Sequence, residues 1–255
     1  MKTFIPVYLA AISYGQTGGE SDPAELLEKA RRAAINYNAS LPDFICTQIV
    51  HRQEDARGDN RWRPIDTLTV KLSYSGRVED YKLTAINGKP TTLDFLKAGG
   101  QTTTGEFGTM LLLVFHPDSM AEFRWKGWSN YRKRRVGTYL YRIDKEHSGY
   151  TVAYGEMTRG GQAIHPAYHG EIQFDPTSGM ILHVTQESEL PVSFPIRRSL
   201  SVVDYDYVSV GDRQFLLPVR ADIVLSTGRY SSRNIVDFQD YRKFQAETTI
   251  SFDKP

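Results

Sequence analysis

Cysteine is almost absent: the 255-residue chain has one, Cys46, so no intramolecular disulfide can form. Its apolar surroundings in LPDFICTQIV mark it as a small buried hydrophobe rather than a reactive thiol. No set of cysteines and histidines has the spacing of a zinc site. Excess charge is missing too. Thirty-one basic and thirty acidic residues leave a formal net charge of +1, which gives no global attraction to nucleic acid. The N-terminal apolar run, Phe4–Ile12, is too short to span a bilayer, and no later segment is apolar for the 18 residues a membrane-spanning helix needs. The nucleophile elbow G-x-S-x-G, the phosphate loop G-x-x-x-x-G-K-[ST] and the dinucleotide fingerprint G-x-G-x-x-G are all lacking, so no cofactor is expected. A hydrolase built on two carboxylates from distant strands stays open, because such pairs leave no local motif. Asp204, Asp206 and Asp240 have no matched partner in the sequence.

Aromatic residues, in contrast, are plentiful at 12%, with fifteen Tyr and twelve Phe, a bias toward strands. Residues 1–15 begin MKTFIPVYLAAISYG: a lysine, then an apolar run from Phe4 to Ile12, then small residues. This pattern reads as a signal peptide and places the rest, 16–255, as one domain in the periplasm or outside the cell. A helix comes next. Asp22 is its N-cap, Pro23 fits the first helical position and Glu25 completes a variant capping box. Leu26, Leu27, Ala30, Ala33, Ala34 and Tyr37 form one apolar stripe, and Leu41-Pro42 ends the helix.

Beyond this helix most of the chain alternates like strands. Phe44–Arg52 is the first. Trp62–Ser75 carries Ile65, Leu68, Val70, Leu72 and Tyr74, and returns through Ser75-Gly76 as Val78–Ile86, before the tight turn Asn87-Gly88. Ala121–Trp128 and Arg132–Ile143 flank a turn expected at Ser129-Asn130. Tyr150–Glu156 comes next. Tyr168–Phe174 and Met180–Glu187 flank the loop DPTSG, Ser199–Val210 and Gln214–Leu225 flank Gly211-Asp212, and Asn234–Phe238 and Glu247–Phe252 close the chain.

One segment breaks the strand pattern. In TTGEFGTMLLLVF (103–115), Thr103 and Glu106 form a capping box and Met110–Phe115 is apolar on every side, before His116-Pro117 ends it. This reads as a short helix that must be buried or must cover an apolar surface. The expected fold is therefore α+β, mostly β: a large antiparallel sheet with one face covered by two helices.

The stretch RWKGWSNYRKRR (124–135) holds six cations and three aromatics with no acid. Alternation puts Phe123 and Trp125 on one face, with Arg124, Lys126 and Trp128 on the other. Arg132, Lys133, Arg134 and Arg135 fall on both faces, as at a hairpin tip solvated all round. The same residues could meet an anionic membrane surface or an envelope protein. Nucleic acid is not an expected partner. His165, His169, Glu171 and His183 raise a metal site. Pro166 and Gly170 argue against a helix, and on a strand His165 and His169 lie too far apart. His169, Glu171 and His183 share a face only if Glu171 stands opposite His183; a solvent-facing polar stripe is the plainer reading.

Taken together, the leader, the amphipathic helix, the first strand with Phe44 and Gln48 in DFICTQ, the inserted apolar helix and the hairpin GEIQFDPTSG (170–179) resemble the LolA-like superfamily of periplasmic lipoprotein carriers and lipid-binding half-barrels. That resemblance implies a strongly curved half-barrel with the helices over its concave face, no enzymatic activity, and a lipid or lipoprotein acyl chain held between sheet and helices. Phe107, Met110, Leu111, Val114, Phe115 and Trp125 would line the cavity. The same residues would equally fill a solid core, leaving a scaffold or sensor module that works through its surface.

Overall fold

The computed structural model describes residues 22–101, 109–155 and 161–244. The expected leader, the capping box at Thr103 and Glu106, Phe107 and the strand expected at 247–252 lie outside these residues.

Helix α1 spans Pro23–Ser40. Asp22 caps it, its carboxylate accepting from the Ala24 N–H at 3.0 Å, and Pro23 occupies the first turn. Leu26, Ala30, Ala34 and Tyr37 are buried. Leu27 and Ala33 border that stripe. Strands β1 (Phe44–Asp55), β2 (Arg63–Ser75), β3 (Val78–Ile86) and β4 (Lys89–Pro90) come next as a meander. Its tight turns carry positive φ at Gly76 and Arg77 and at Asn87 and Gly88. Ile65 does not join the apolar face of β2. It is 48% exposed, because alternation already puts it, three residues before Leu68, on the opposite face, and it is the residue left without a partner where the β1–β2 register shifts.

Helix α2 is Thr109–Phe115. Its last carbonyls are satisfied by neighbours: Leu112 O accepts from the His116 N–H, Leu113 O from the Tyr168 hydroxyl and Val114 O from Ser119 Oγ. The chain then builds β5 (Glu122–Tyr131) and β6 (Arg134–Ile143), makes an excursion through the two-stranded pair β7 (Val152–Tyr154) and β8 (Gln162–Ile164), and returns as β9 (Ala167–Phe174), β10 (Ile181–Glu189), β11 (Arg198–Val210), β12 (Arg213–Thr227) and β13 (Tyr230–Lys243).

The main sheet has eleven antiparallel strands in the order β4-β3-β2-β1-β13-β12-β11-β10-β9-β6-β5. It is open, with β4 and β5 at its edges, and the late strand β13 docks against β1. One apolar row crosses ten of the strands in register: Trp125, Tyr139, Ile172, Val184, Val203, Ala221, Val236, Val50, Leu68 and Ile86. This face is the inner one. Helix α1 lies across it, with Pro23 O accepting from Tyr139 on β6 and Tyr37 donating to Leu216 O on β12 at 2.9 Å. The β9–β10 hairpin closes on the helix, since Lys29 donates to Pro176 O and Thr177 O. Gly179 is required there. Its φ is +76°, and a Cβ would stand 2.7 Å from Lys29 O.

Curvature follows from α2. Thr109 lines a groove with Tyr81 on β3, while Leu113 is bonded to Tyr168 on β9. Along the sheet, β3 and β9 are separated by a path of about 34 Å at ~4.8 Å per strand. The whole helix is only about 10 Å long. A flat sheet cannot present both strands to one short helix, so the sheet is a half-barrel with both helices on its concave side.

Candidate functional site

Two regions carry the residues singled out in the sequence: the inner face around α2, and the β5–β6 hairpin.

On α2, Leu111, Val114 and Phe115 are 1% exposed or less. A side chain beside a void wide enough for water would retain accessible surface, so these three pack against protein atoms. Phe115 stacks on Phe123 at 5.4 Å between centroids. Met110 is half-buried against the same core. Trp125, also half-buried, packs edge-on to Tyr139 and Trp128.

An open groove of ≈ 600 Å³ lies at the start of α2. Arg77 from the β2–β3 turn, Val78, Glu79, Asp80 and Tyr81 from β3, Asp94, Phe95 and Leu96 from a short 3-10 turn and its cap, and Thr109 line it, so charged and apolar side chains share its surface. Tyr81 and Phe95 stack at 5.6 Å. Leu96 is 73% exposed and Val78 66%. No local pattern marked this groove, because its walls are far apart in sequence.

Farther along the inner face the lining becomes polar, which the strand alternation did not show. Gln186 and Ser188 on β10 and Ser199 and Ser201 on β11 share that face, with Gln186 paired to Ser201 across the strands. All four are buried. Beyond them, Asn234 on β13 donates to Gln101 O, and Arg52 on β1 forks onto Asp66 at 2.6 and 2.5 Å while its remaining nitrogen donates to Gly99 O. A pocket of ≈ 250 Å³ opens among Arg52, Gln53, Gln101, Tyr230, Ser232 and Asn234.

The β5–β6 hairpin departs from expectation in two ways. Its turn is at Arg132-Lys133, φ 47° and 66°, rather than Ser129-Asn130. A register shift between Trp125 and Gly127, whose φ is 120°, adds one residue to β5. The bulge resets the alternation, so Trp128 joins Phe123 and Trp125 against the core instead of sharing a face with Arg124.

Most of the cations have partners within the chain. Arg132 meets Asp204 at 3.3 Å and Asp206 at 3.5 Å, and Arg134 meets Asp206 at 3.2 Å. Lys126 pairs with Glu171, and the Arg135 guanidinium lies 4.1 Å from the Trp128 ring centroid. His183 Nδ1 stands 2.6 Å from Asp204, with the Tyr131 ring beside it. Burial would raise the Asp204 carboxyl. His183, Tyr131 and Arg132 outweigh it and hold the group below its usual range. The hairpin tip is thus folded down on the outer face of β11 rather than solvated all round.

The three metal candidates go to separate partners. His169 faces Glu189 at 3.4 Å, Glu171 bonds Lys126, and His183 bonds Asp204. The β9–β10 register sets Gln173, not Glu171, opposite His183. His165 is held by Tyr150 O and Thr151. Among the described residues no group of three or more His, Cys, Asp or Glu could hold a metal ion. Cys46 is buried, and burial pushes its thiol up to about 12.

No family model and no curated protein matches the chain. Among solved structures its fold resembles a LolA superfamily protein, NE2245 from Nitrosomonas europaea, at 11% identity over 87% of this chain and 93% of that one, with a TM-score of 0.41. It also resembles an outer membrane lipoprotein-sorting protein domain from Vibrio parahaemolyticus, at 13% identity over 89% and 93%, TM-score 0.41. A DUF1329 family protein from Desulfovibrio piger aligns at 6% identity over 87% and 94%, TM-score 0.42. Likeness of this degree carries no argument about ligand or partner.

Proposed function

We propose that this protein is a non-enzymatic periplasmic binder of an acyl chain, from a lipid or a lipoprotein, taken up on the concave side of the half-barrel beside α2. The observation that carries this reading is the ≈ 600 Å³ groove between β3 and the start of α2, with Val78 and Leu96 largely exposed at its walls. Its volume is in the range of small-molecule sites. Burying those side chains under an alkyl chain would gain about 25 cal/mol per Å² of apolar surface. Leu111, Val114 and Phe115 serve the site as its rigid backing, since they are already packed.

The outer face supports this order of preference. Arg132, Arg134 and Lys126 are matched by Asp204, Asp206 and Glu171 of the same chain, and Arg135 rests on Trp128, which leaves the 124–135 stretch with less charge to offer an anionic surface than its sequence suggests.

The test is Leu96→Asp. Leu96 is exposed, so the variant should fold with an unchanged unfolding transition. Capture of palmitic acid, read by native mass spectrometry, should fall at least tenfold. Undiminished capture in the folded variant would remove the groove from the reading.

A further inference from the structure

Three of the six histidines stand on the outer face of the main sheet, and their surroundings repeat one pattern. His51 on β1 lies 3.7 Å from Asp237, which Arg220 bonds at 2.8 Å. His169 on β9 lies 3.4 Å from Glu189, which Arg142 bonds at 3.0 Å. His183 on β10 lies 2.6 Å from Asp204, which Arg132 meets at 3.3 Å. Each histidine thus shares its carboxylate with an arginine. Every triplet is assembled from separate strands or a strand and a turn, so no spacing in the sequence announces it.

The remaining neighbours of the three rings are matched in the same way. Across the strands His51 faces Thr67 and Ile235, and the depression beside it holds Arg52 and Asp66, which pair with each other. His169 faces Arg142 and Glu187. Arg142 also meets Asp144, and Glu187 is bonded by Arg198 at 2.8 Å. His183 faces Gln173, with the Tyr131 ring 5.3 Å away. With neutral rings these networks are close to balanced in charge. Histidine is the side chain whose ordinary charge change falls between pH 5 and 8. Carboxylates stay ionised over that range. Each proton taken up there adds a positive charge beside an acid that an arginine already matches.

This charge would be open to solvent. The His51 and His169 side chains are 46% and 50% exposed, and both helices lie on the concave side of the sheet. In the strand order β1 and β10 are four spacings apart, about 19 Å at ~4.8 Å each. Charges so far apart cannot close on one small anion. They suit an extended surface on which anionic groups recur, as in a leaflet of acidic lipid.

We propose that the outer face of the half-barrel is a proton-controlled docking surface for anionic lipid headgroups, indifferent to them at neutral pH and drawn to them on acidification through His51, His169 and His183. It stands apart from the acyl-binding reading, which concerns the opposite face of the sheet.

The experiment is co-sedimentation of the purified protein with vesicles of phosphatidylglycerol and phosphatidylethanolamine in equal parts, at low salt, between pH 8 and pH 5. Wild-type binding should tighten about tenfold or more as pH falls across this range. It should weaken again when salt is added. Any protein gains positive charge on acidification, so two triple variants decide where the effect resides. His51→Gln/His169→Gln/His183→Gln should lose most of the pH response. His116→Gln/His147→Gln/His165→Gln, which removes three histidines outside the strands of the main sheet, should keep it. Should loss of the His183–Asp204 contact unfold the first variant, His51→Gln/His169→Gln carries the same test at two exposed positions. Binding that does not change with pH, a response that survives the outer-face variants, or equal loss in both triple variants would overturn the docking surface. None of these results bears on palmitic acid capture, so acyl binding is judged separately by Leu96→Asp.

Discussion

Single residues in this protein do work that strand patterns do not announce. Asp55, at the end of β1, is 3% exposed and accepts from the backbone N–H groups of Arg57, Gly58, Asp59 and Asn60. Burial would raise its carboxyl, but the four N–H groups prevail and hold it below the usual range. Because the folded form ionises at lower pH than the unfolded one, this contribution to stability is complete above the ordinary carboxylate range of about 4. It is lost as pH falls through the folded value. Asp55→Asn should be less stable than wild type at pH 7, and the difference should shrink below pH 4, as read from urea midpoints across that range. A pH-independent difference would mean that the charge on Asp55 is not what holds the loop. Gln186 and Ser188 are the converse case: polar residues whose alternation looks like an ordinary half-exposed strand, and which only the covering of the sheet turns into buried groups.

At the scale of elements, the β5–β6 hairpin shows how one added residue redirects a surface. Gly127 accommodates the bulge, Trp128 turns to the core, and the arginines of the turn come to rest beside Asp204 and Asp206. The hairpin is therefore partly held by ion pairs to β11. Arg132→Glu should replace attraction by repulsion at both aspartates and lower stability by about 1 kcal/mol, in keeping with partly exposed pairs. A chemical-denaturation midpoint measured at low and at high salt checks it: the loss should shrink as salt screens the repulsion. A variant as stable as wild type at low salt would show that the tip is not anchored there. Both α1 and α2 were legible in the sequence, α1 from its cap and stripe and α2 from its apolar run. The hairpin turn was not, because a bulge leaves no residue signature beyond a glycine.

For the whole molecule, the decisive relation is between the curved sheet and its two helices. Leu111 is one of three side chains, with Val114 and Phe115, through which α2 enters the core, and it is 1% exposed. Leu111→Ala should cost about 2–5 kcal/mol, the range for large-to-small changes in a packed core. Thermal unfolding would report it, and a loss well below that range would mean the helix rests on a cavity instead of a filled core. Lipid capture should be less sensitive to this change than to Leu96→Asp, since Leu111 backs the site without lining its open groove.

Alternation, capping signals and turn residues were sufficient for the strand-rich class, for both helices and for most hairpins, because each depends on contacts within a few residues. The apolar identity of the inner face was equally readable, through Val50, Leu68, Leu72, Val184 and Val203 on their alternating strands. Strand order was beyond reach. The docking of β13 against β1 joins the two ends of the described chain, and nothing local at Val50 or Val236 encodes that pairing. The groove at α2, the polar group on β10 and β11, and the ion pairs of Lys126, Arg132 and Arg134 all depend on residues far apart in sequence. They come into being only when the sheet curves far enough to bring β3 and β9 to the same short helix.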